Sequence, residues 1–180
     1  MIKDGITIRA YLLSCGEATT DLAFNQLKRY GLDVILLDGK ESMQDKYKRF
    51  IKEAKKRKNE KALKIDADVI VNENIKFVDT SNLTQFKVYN FYTNSVTYNG
   101  VTCYHPRVIN TIYNYLDNLN WVRPETSAIR LSETKGRSSD IIVGLHGFFQ
   151  NKDDIDRVEI TRKFRKHPFD KQFIEGILKI

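Results

Sequence analysis

Two aspartates one residue apart, Asp66 and Asp68, interrupt the apolar run Leu63-Lys64-Ile65-Asp66-Ala67-Asp68-Val69-Ile70-Val71. An ionised carboxylate is rarely buried in full unless it is paired or bound to a metal. The pair therefore belongs at the open carboxyl end of a strand, the edge at which parallel α/β sheets bind ligands. Where the chain turns, a one-residue spacing lets two carboxylates converge on one cation. Oxygen-rich sites of that kind suit Mg2+ or Mn2+, which bridge to phosphate oxygens. The plainer reading is a strand end with two solvated aspartates. His146 stands in Gly144-Leu145-His146-Gly147, directly after another apolar run. A neutral imidazole is an acceptable third ligand for Mn2+, and glycines on both sides let the backbone approach something closely. The alternative is a histidine hydrogen-bonded at a strand end. Glu125 follows Pro124 at a helix start. Its carboxylate acts as a general base if it reaches an acceptor hydroxyl, although the helix dipole favours an acid there without any catalysis. Asp140 is the rival base.

The elements that position these residues follow from periodicity. Ile6 to Leu13 reads as a strand, with Ser14-Cys15-Gly16-Glu17 as the turn after it. Thr20 or Asp21 caps a helix that carries Leu22, Ala23, Gln26 and Leu27 and stops at Gly31. Asp33 to Leu37 is a short apolar run of the kind buried on both faces, ending at the turn Asp38-Gly39. A second helix runs from about Gln44 to Lys58, with Tyr47, Phe50, Ile51 and Ala54 on one face. Its other face reads as a basic surface of Lys46, Lys48, Arg49, Lys52, Lys55, Lys56, Arg57 and Lys58. The aspartate-bearing strand follows. Strand–helix–strand–helix–strand argues for a mainly parallel central sheet flanked by helices. Further on, Phe86–Tyr92 and Ser95–Tyr104 alternate loosely, with Asn99-Gly100 as a turn between strands. Pro106 and Pro124 each open a helix, the second ending near Gly136, and Asp140 to Leu145 is an apolar strand. Phe169, Phe173, Ile174, Ile177 and Leu178 make a stripe at helical spacing.

Length and charge set the outer bounds. The chain of 180 residues fits one domain. With 41% apolar and 29% charged residues it has a globular composition. A net charge of +7 favours an anionic partner: a nucleotide phosphate, a nucleic acid or a polyanionic surface. The two cysteines, Cys15 and Cys103, have no zinc-site spacing. No secretory signal or membrane-length apolar run is visible, so the expected location is cytoplasmic.

Four landmarks, in order, resemble small glycosyltransferases of the GT-A fold, which use a nucleotide sugar and carry an Asp-x-Asp motif. They are the turns at Glu17 and at Asp38-Gly39; Leu63-Lys64-Ile65-Asp66-Ala67-Asp68; Asn99-Gly100-Val101-Thr102-Cys103-Tyr104-His105-Pro106-Arg107-Val108-Ile109; and Pro124-Glu125 followed by a helix, Gly136 and a strand ending at His146. The likeness covers most of residues 6–150. It implies a single α/β domain over 1–180, with a nucleotide-binding part over about 1–75, an acceptor part over about 76–150 and a basic extension over about 151–180. It implies transfer of a sugar from a nucleotide-diphosphate sugar to an acceptor hydroxyl with Mn2+ or Mg2+ as cofactor. Ser14, Glu17, Asp38, Lys64, Asp66 and Gly100 would contact the donor, and Asp66, Asp68 and His146 would hold the metal. Glu125 or Asp140 would act as base. The segment between Asp38 and Asp66 is short for that family, and Glu125 is followed by Thr126 rather than by a second acid. The basic helix and the tail Arg162 to Phe169 are candidates for docking on an anionic surface. Other classes stay open: a nucleic-acid- or polyanion-binding module, a nucleotidyltransferase that lacks its glycine-rich loop, and a relative that binds nucleotide sugar without catalysis.

Overall fold

A computed structural model describes residues 2–3, 6–77, 83–90, 95–98, 100–118, 124–131 and 137–147. Along the chain run β1 (Ile2–Lys3), β2 (Ile6–Leu13), α1 (Thr20–Arg29), β3 (Asp33–Leu37), α2 (Met43–Lys56), β4 (Glu60–Asp66), β5 (Val69–Val71), β6 (Leu83–Asn90), β7 (Ser95–Thr97), β8 (Val101–Tyr104), α3 (Pro106–Asn114), α4 (Pro124–Leu131) and β9 (Arg137–His146). Local chemistry sets several of these boundaries. Ser42 caps α2 by accepting the Asp45 N–H at 3.1 Å. Lys55 and Lys56 in its last turn complement the dipole. Pro106 opens α3, where His105 Nδ1 accepts the Arg107 N–H. Among the described residues, no helix is long and apolar enough to cross a membrane.

The strands form one sheet in the order β3-β2-β4-β8-β6-β9-β5, with β1 also on β2 and β7 also on β6. The fold is α/β, but the sheet is mixed rather than mainly parallel. Only β2/β3, β2/β4 and β6/β9 run parallel. The physical reason lies in the connections. A parallel pair needs a long crossover, usually a helix. Helices α1 and α2 supply one on either side of β3, and α3 and α4 lie between β8 and β9. No α-helix separates β4 from β8 among the described residues, and β4 and β8 pair antiparallel. The expected turn at Asn99-Gly100 does not make a hairpin. β7 and β8 both pair with β6, at its two ends, instead of with each other. Asn99 itself, the helix end at Gly136 and the tail from 148 onward lie outside the described residues.

The strand end expected at the aspartates is there: β4 stops at Asp66, the chain turns at Ala67 and Asp68, and β5 begins at Val69. Three residue steps from Asp66 to Val69 span at most about 11 Å. In a flat sheet β5 would lie four strand spacings from β4, about 19 Å away. The sheet must therefore curl, and the curl carries the end of β9 back to the end of β4.

Side chains alternate between the two faces of the sheet. Ile8, Ala10 and Leu12 of β2 pack with Ala23 and Leu27 of α1. Tyr11 and Leu13 face the other way, into a cluster with Tyr47, Phe50, Ile109 and Ile112 of α2 and α3. At the opposite edge from the candidate site, Arg9 ties three strands together. It pairs with Asp33, and its Nε and Nη2 donate to the Glu60 carboxylate at 2.5 and 3.1 Å. The hydrogen bond from Arg9 and its charge hold Glu60 below its ordinary 4.5. A depressed acid stabilises the fold above its unfolded pKa and loses that contribution as pH falls through the folded value. Arg9→Met is expected to cost about 2 kcal/mol at pH 7. In urea melts at several pH values, its deficit against the parent should shrink as pH falls below 4.5.

Candidate metal centre

Parallel pairing sets β2, β3 and β4 end to end in register: Leu13 is level with Leu37 and with Asp66. The turns at Ser14 and Asp38 and the Asp-Ala-Asp turn thus share one edge of the sheet. Three elements pin the last of these. The Asp66 N–H donates to Gly100 O, and the Ala67 N–H to Leu13 O, both at 2.9 Å. Thr19 Oγ1 donates to Ala67 O at 2.6 Å. From the far side β9 arrives, with His146 level with Val69 and the Gly147 N–H on Asp68 O at 3.0 Å. Gly144 admits β5: a methyl there would lie 2.5 Å from Ile70 O.

This brings Asp66, Asp68 and His146 together, one ligand atom of each lying within 4.8 Å of the others. His146 Nε2 stands 3.4 Å from Asp68 Oδ2. Its Nδ1 is 3.0 Å from the Asn90 side-chain amide at the end of β6. Asp66 Oδ1 is buried and faces the Lys64 ammonium at 2.7 Å. Burial, only partly offset by Lys64, pushes this carboxyl up to about 6. Two carboxylates and an imidazole within reach of one point make a donor set suited to a divalent cation. The group could hold a metal ion.

Lys64 and Asp66 are two apart on β4 and so share a face. Lys64 Nζ lies 2.7 Å from Asp66 Oδ1 and 3.0 Å from Glu125 Oε1. Burial opposes the ammonium charge, but Asp66 and Glu125 outweigh it and the pKa is raised. This lysine is 5% exposed and engaged by two carboxylates. Glu125 also accepts the Tyr104 hydroxyl at 3.2 Å, and that phenol is 3.2 Å from Tyr47 Oη. Burial pushes Tyr104 well above its ordinary 10.0.

The remaining expected residues divide. Gly100 belongs to the centre. Its φ is +86°, and a methyl there would come 2.6 Å from Val69 Cγ2, 3.2 Å from His146 Cδ2 and 3.4 Å from Asp66 Oδ2. Gly100→Ala is expected to destabilise the fold by about 1–3 kcal/mol through backbone strain and to push Asp66 and His146 apart, read by thermal melting and by titration with divalent cations. Glu17 turns inward: its Oε2 accepts Ser14 Oγ at 2.9 Å and the Cys15 N–H at 2.7 Å. Ser14 is buried, and Asp38 is exposed with its carbonyl accepting from Arg49. Asp140 is not brought to the centre. It pairs with Lys87 at 2.6 Å on the exposed surface, six residues before His146 on β9, a distance of about 20 Å along a strand.

Lys46 escaped the sequence reading, which placed it on the solvent face of α2. It is fully buried. Its ammonium donates to Ser14 O and, at 3.1 Å, to Gly39 O, with Cys15 Sγ 3.5 Å away. The signal was present: Lys46, Phe50 and Ala54 are spaced by four, along the apolar stripe of the helix. Tyr104 and Asn90 were also passed over, each sitting in a strand that reads as ordinary core.

No family model matches the chain, and no curated protein matches it. Among solved structures, the crystal structure of A197 from STIV is similar, at 10% identity over 74% of this chain and 82% of that chain, with a TM-score of 0.49.

Proposed function

We propose that the chain is a metal-dependent glycosyltransferase of the GT-A class. It would move a sugar from a nucleotide-diphosphate donor to an acceptor hydroxyl. The observation that carries this reading is the convergence of Asp66, Asp68 and His146 at the carboxyl edge of β4, beside the turns that follow β2 and β3. Mn2+ or Mg2+ is the proposed cation, because the donors are hard oxygens with one imidazole. When bound, it supplies Lewis-acid neutralisation of the leaving diphosphate. Asn90 lies against the imidazole, its Nδ2 3.0 Å from His146 Nδ1; with that amide flipped, its oxygen would accept from Nδ1–H and leave the Nε2 lone pair for the cation. Ser14, Glu17 and Lys46 shape the turn proposed to receive the nucleoside. Glu17 braces that loop through Oε2, which accepts from Ser14 and Cys15. Glu125, held by Lys64 and Tyr104, is the proposed base.

The test is a panel of nucleotide sugars scored by thermal shift, with and without Mn2+. A bound ligand raises stability by mass action. The expected result is a shift for at least one nucleotide sugar that grows when Mn2+ is present. No shift for any donor, together with salt-sensitive retention of nucleic acid, would replace this reading by a polyanion-binding one. The exposed cations Lys52, Arg57 and Lys58 would then be the surface to mutate.

A further inference from the structure

Asp66 uses its two oxygens on opposite sides. Oδ1 faces the Lys64 ammonium at 2.7 Å. Oδ2 lies toward Gly100, where a methyl would come 3.4 Å from Oδ2 and 3.2 Å from His146 Cδ2, the ring carbon bonded to Nε2. Asp66 Oδ2 and the imidazole thus border the same spot beside Gly100, while Lys64 sits on Oδ1. Lys64 in turn cannot swing away cheaply. It is 5% exposed, and Glu125 Oε1 holds its ammonium from the other direction at 3.0 Å.

We propose that Lys64 is a positioning residue that reserves Asp66 Oδ1 and so restricts Asp66 to a single oxygen for the cation. The consequence is selectivity. Ca2+ gathers six to eight oxygens and readily takes a carboxylate through both. Mg2+ takes six in a tight octahedron at shorter distances and is served well by one-oxygen ligands. A carboxylate blocked at one oxygen by a fixed ammonium, next to an imidazole, discriminates against Ca2+ and in favour of Mn2+ or Mg2+. This inference rests on the metal-centre reading above, and deepens it by naming what chooses the ion.

The experiment is calorimetric titration of the metal-free full chain with Mn2+ and with Ca2+, in the parent and in Lys64 variants. The parent is expected to bind Mn2+ and to prefer it to Ca2+ by at least about tenfold. Lys64→Met frees Oδ1, and the Mn2+/Ca2+ preference should fall by about tenfold, mainly through tighter Ca2+ binding. Lys64→Gln keeps a donor on Oδ1 and should preserve the preference. If Lys64→Met does not fold, the double variant with Glu125→Gln removes one of the two acids left without a counter-charge and gives the same readout. A parent that binds Mn2+ but binds Ca2+ equally well overturns the proposal without any variant. So does an unchanged preference in Lys64→Met. A parent that binds neither ion overturns the metal-centre reading itself, which keeps the two failures apart.

Discussion

Asp68→Asn is expected to weaken Mn2+ binding by about a hundredfold or more, since losing a direct ligand should exceed the 10–100-fold typical of losing a residue behind one. Asp68 is the cleaner of the two aspartates to change. Its backbone carbonyl accepts the Gly147 N–H at 3.0 Å, and asparagine leaves that bond intact. Its side chain is 10% exposed and stands 3.4 Å from His146 Nε2. Removing its charge also relieves repulsion with Asp66, whose carboxyl feels it. The metal-free variant should therefore melt close to the parent, the lost contact with His146 being set against that relief. Asp66→Asn is less simple, because it takes away one of the two acids that face Lys64. Calorimetry with Mn2+ and a melting curve on the same samples decide the matter. An Asp68→Asn protein that binds Mn2+ as the parent does would make the cluster structural.

The site was legible where chemistry is local and obscure where it depends on the path of the sheet. Asp66 and Asp68 stood out because acids do not belong inside an apolar run. The strands at Ile6–Leu13 and Asp33–Leu37 and the helices on either side of the second were readable from periodicity and turn residues. Nothing in the sequence shows that Ala67 and Asp68 alone separate two strands that lie far apart in the sheet order. The curl that follows from it is what returns His146 to Asp68. Of the two acids put forward as bases, Glu125 lies 3.0 Å from Lys64, whereas Asp140 pairs with Lys87 on the surface. Pairing between distant segments outranks local pattern in the second half of the chain. The stretch from Ser95 to Tyr104 looks like a hairpin, yet its two strands spend their hydrogen bonds on β6 and β4.

Lys46→Met is expected to lower stability by about 3–5 kcal/mol. Hydrogen bonds to a charged group contribute about 1.5–3 kcal/mol each. Here one ammonium serves the carbonyls of Ser14 and Gly39, which sit in the loops after β2 and β3. Methionine fills the space of the lysine stem and leaves both oxygens without that donor, so the loss is polar rather than a cavity. The two loops are otherwise linked mainly through the Ser14 N–H on Leu37 O at 3.0 Å. Their relative placement should therefore loosen even in molecules that stay folded. A urea melt reads the first effect as a lower midpoint with an unchanged slope. Amide exchange at Ser14, whose N–H is held by Leu37 O, faster than global unfolding allows, reads the second. If instead the variant melts with the parent, Lys46 is not the clamp its contacts describe. A buried cation between two backbone carbonyls would then be doing little for the fold, and its place at the proposed nucleoside turn would have to be explained by binding alone.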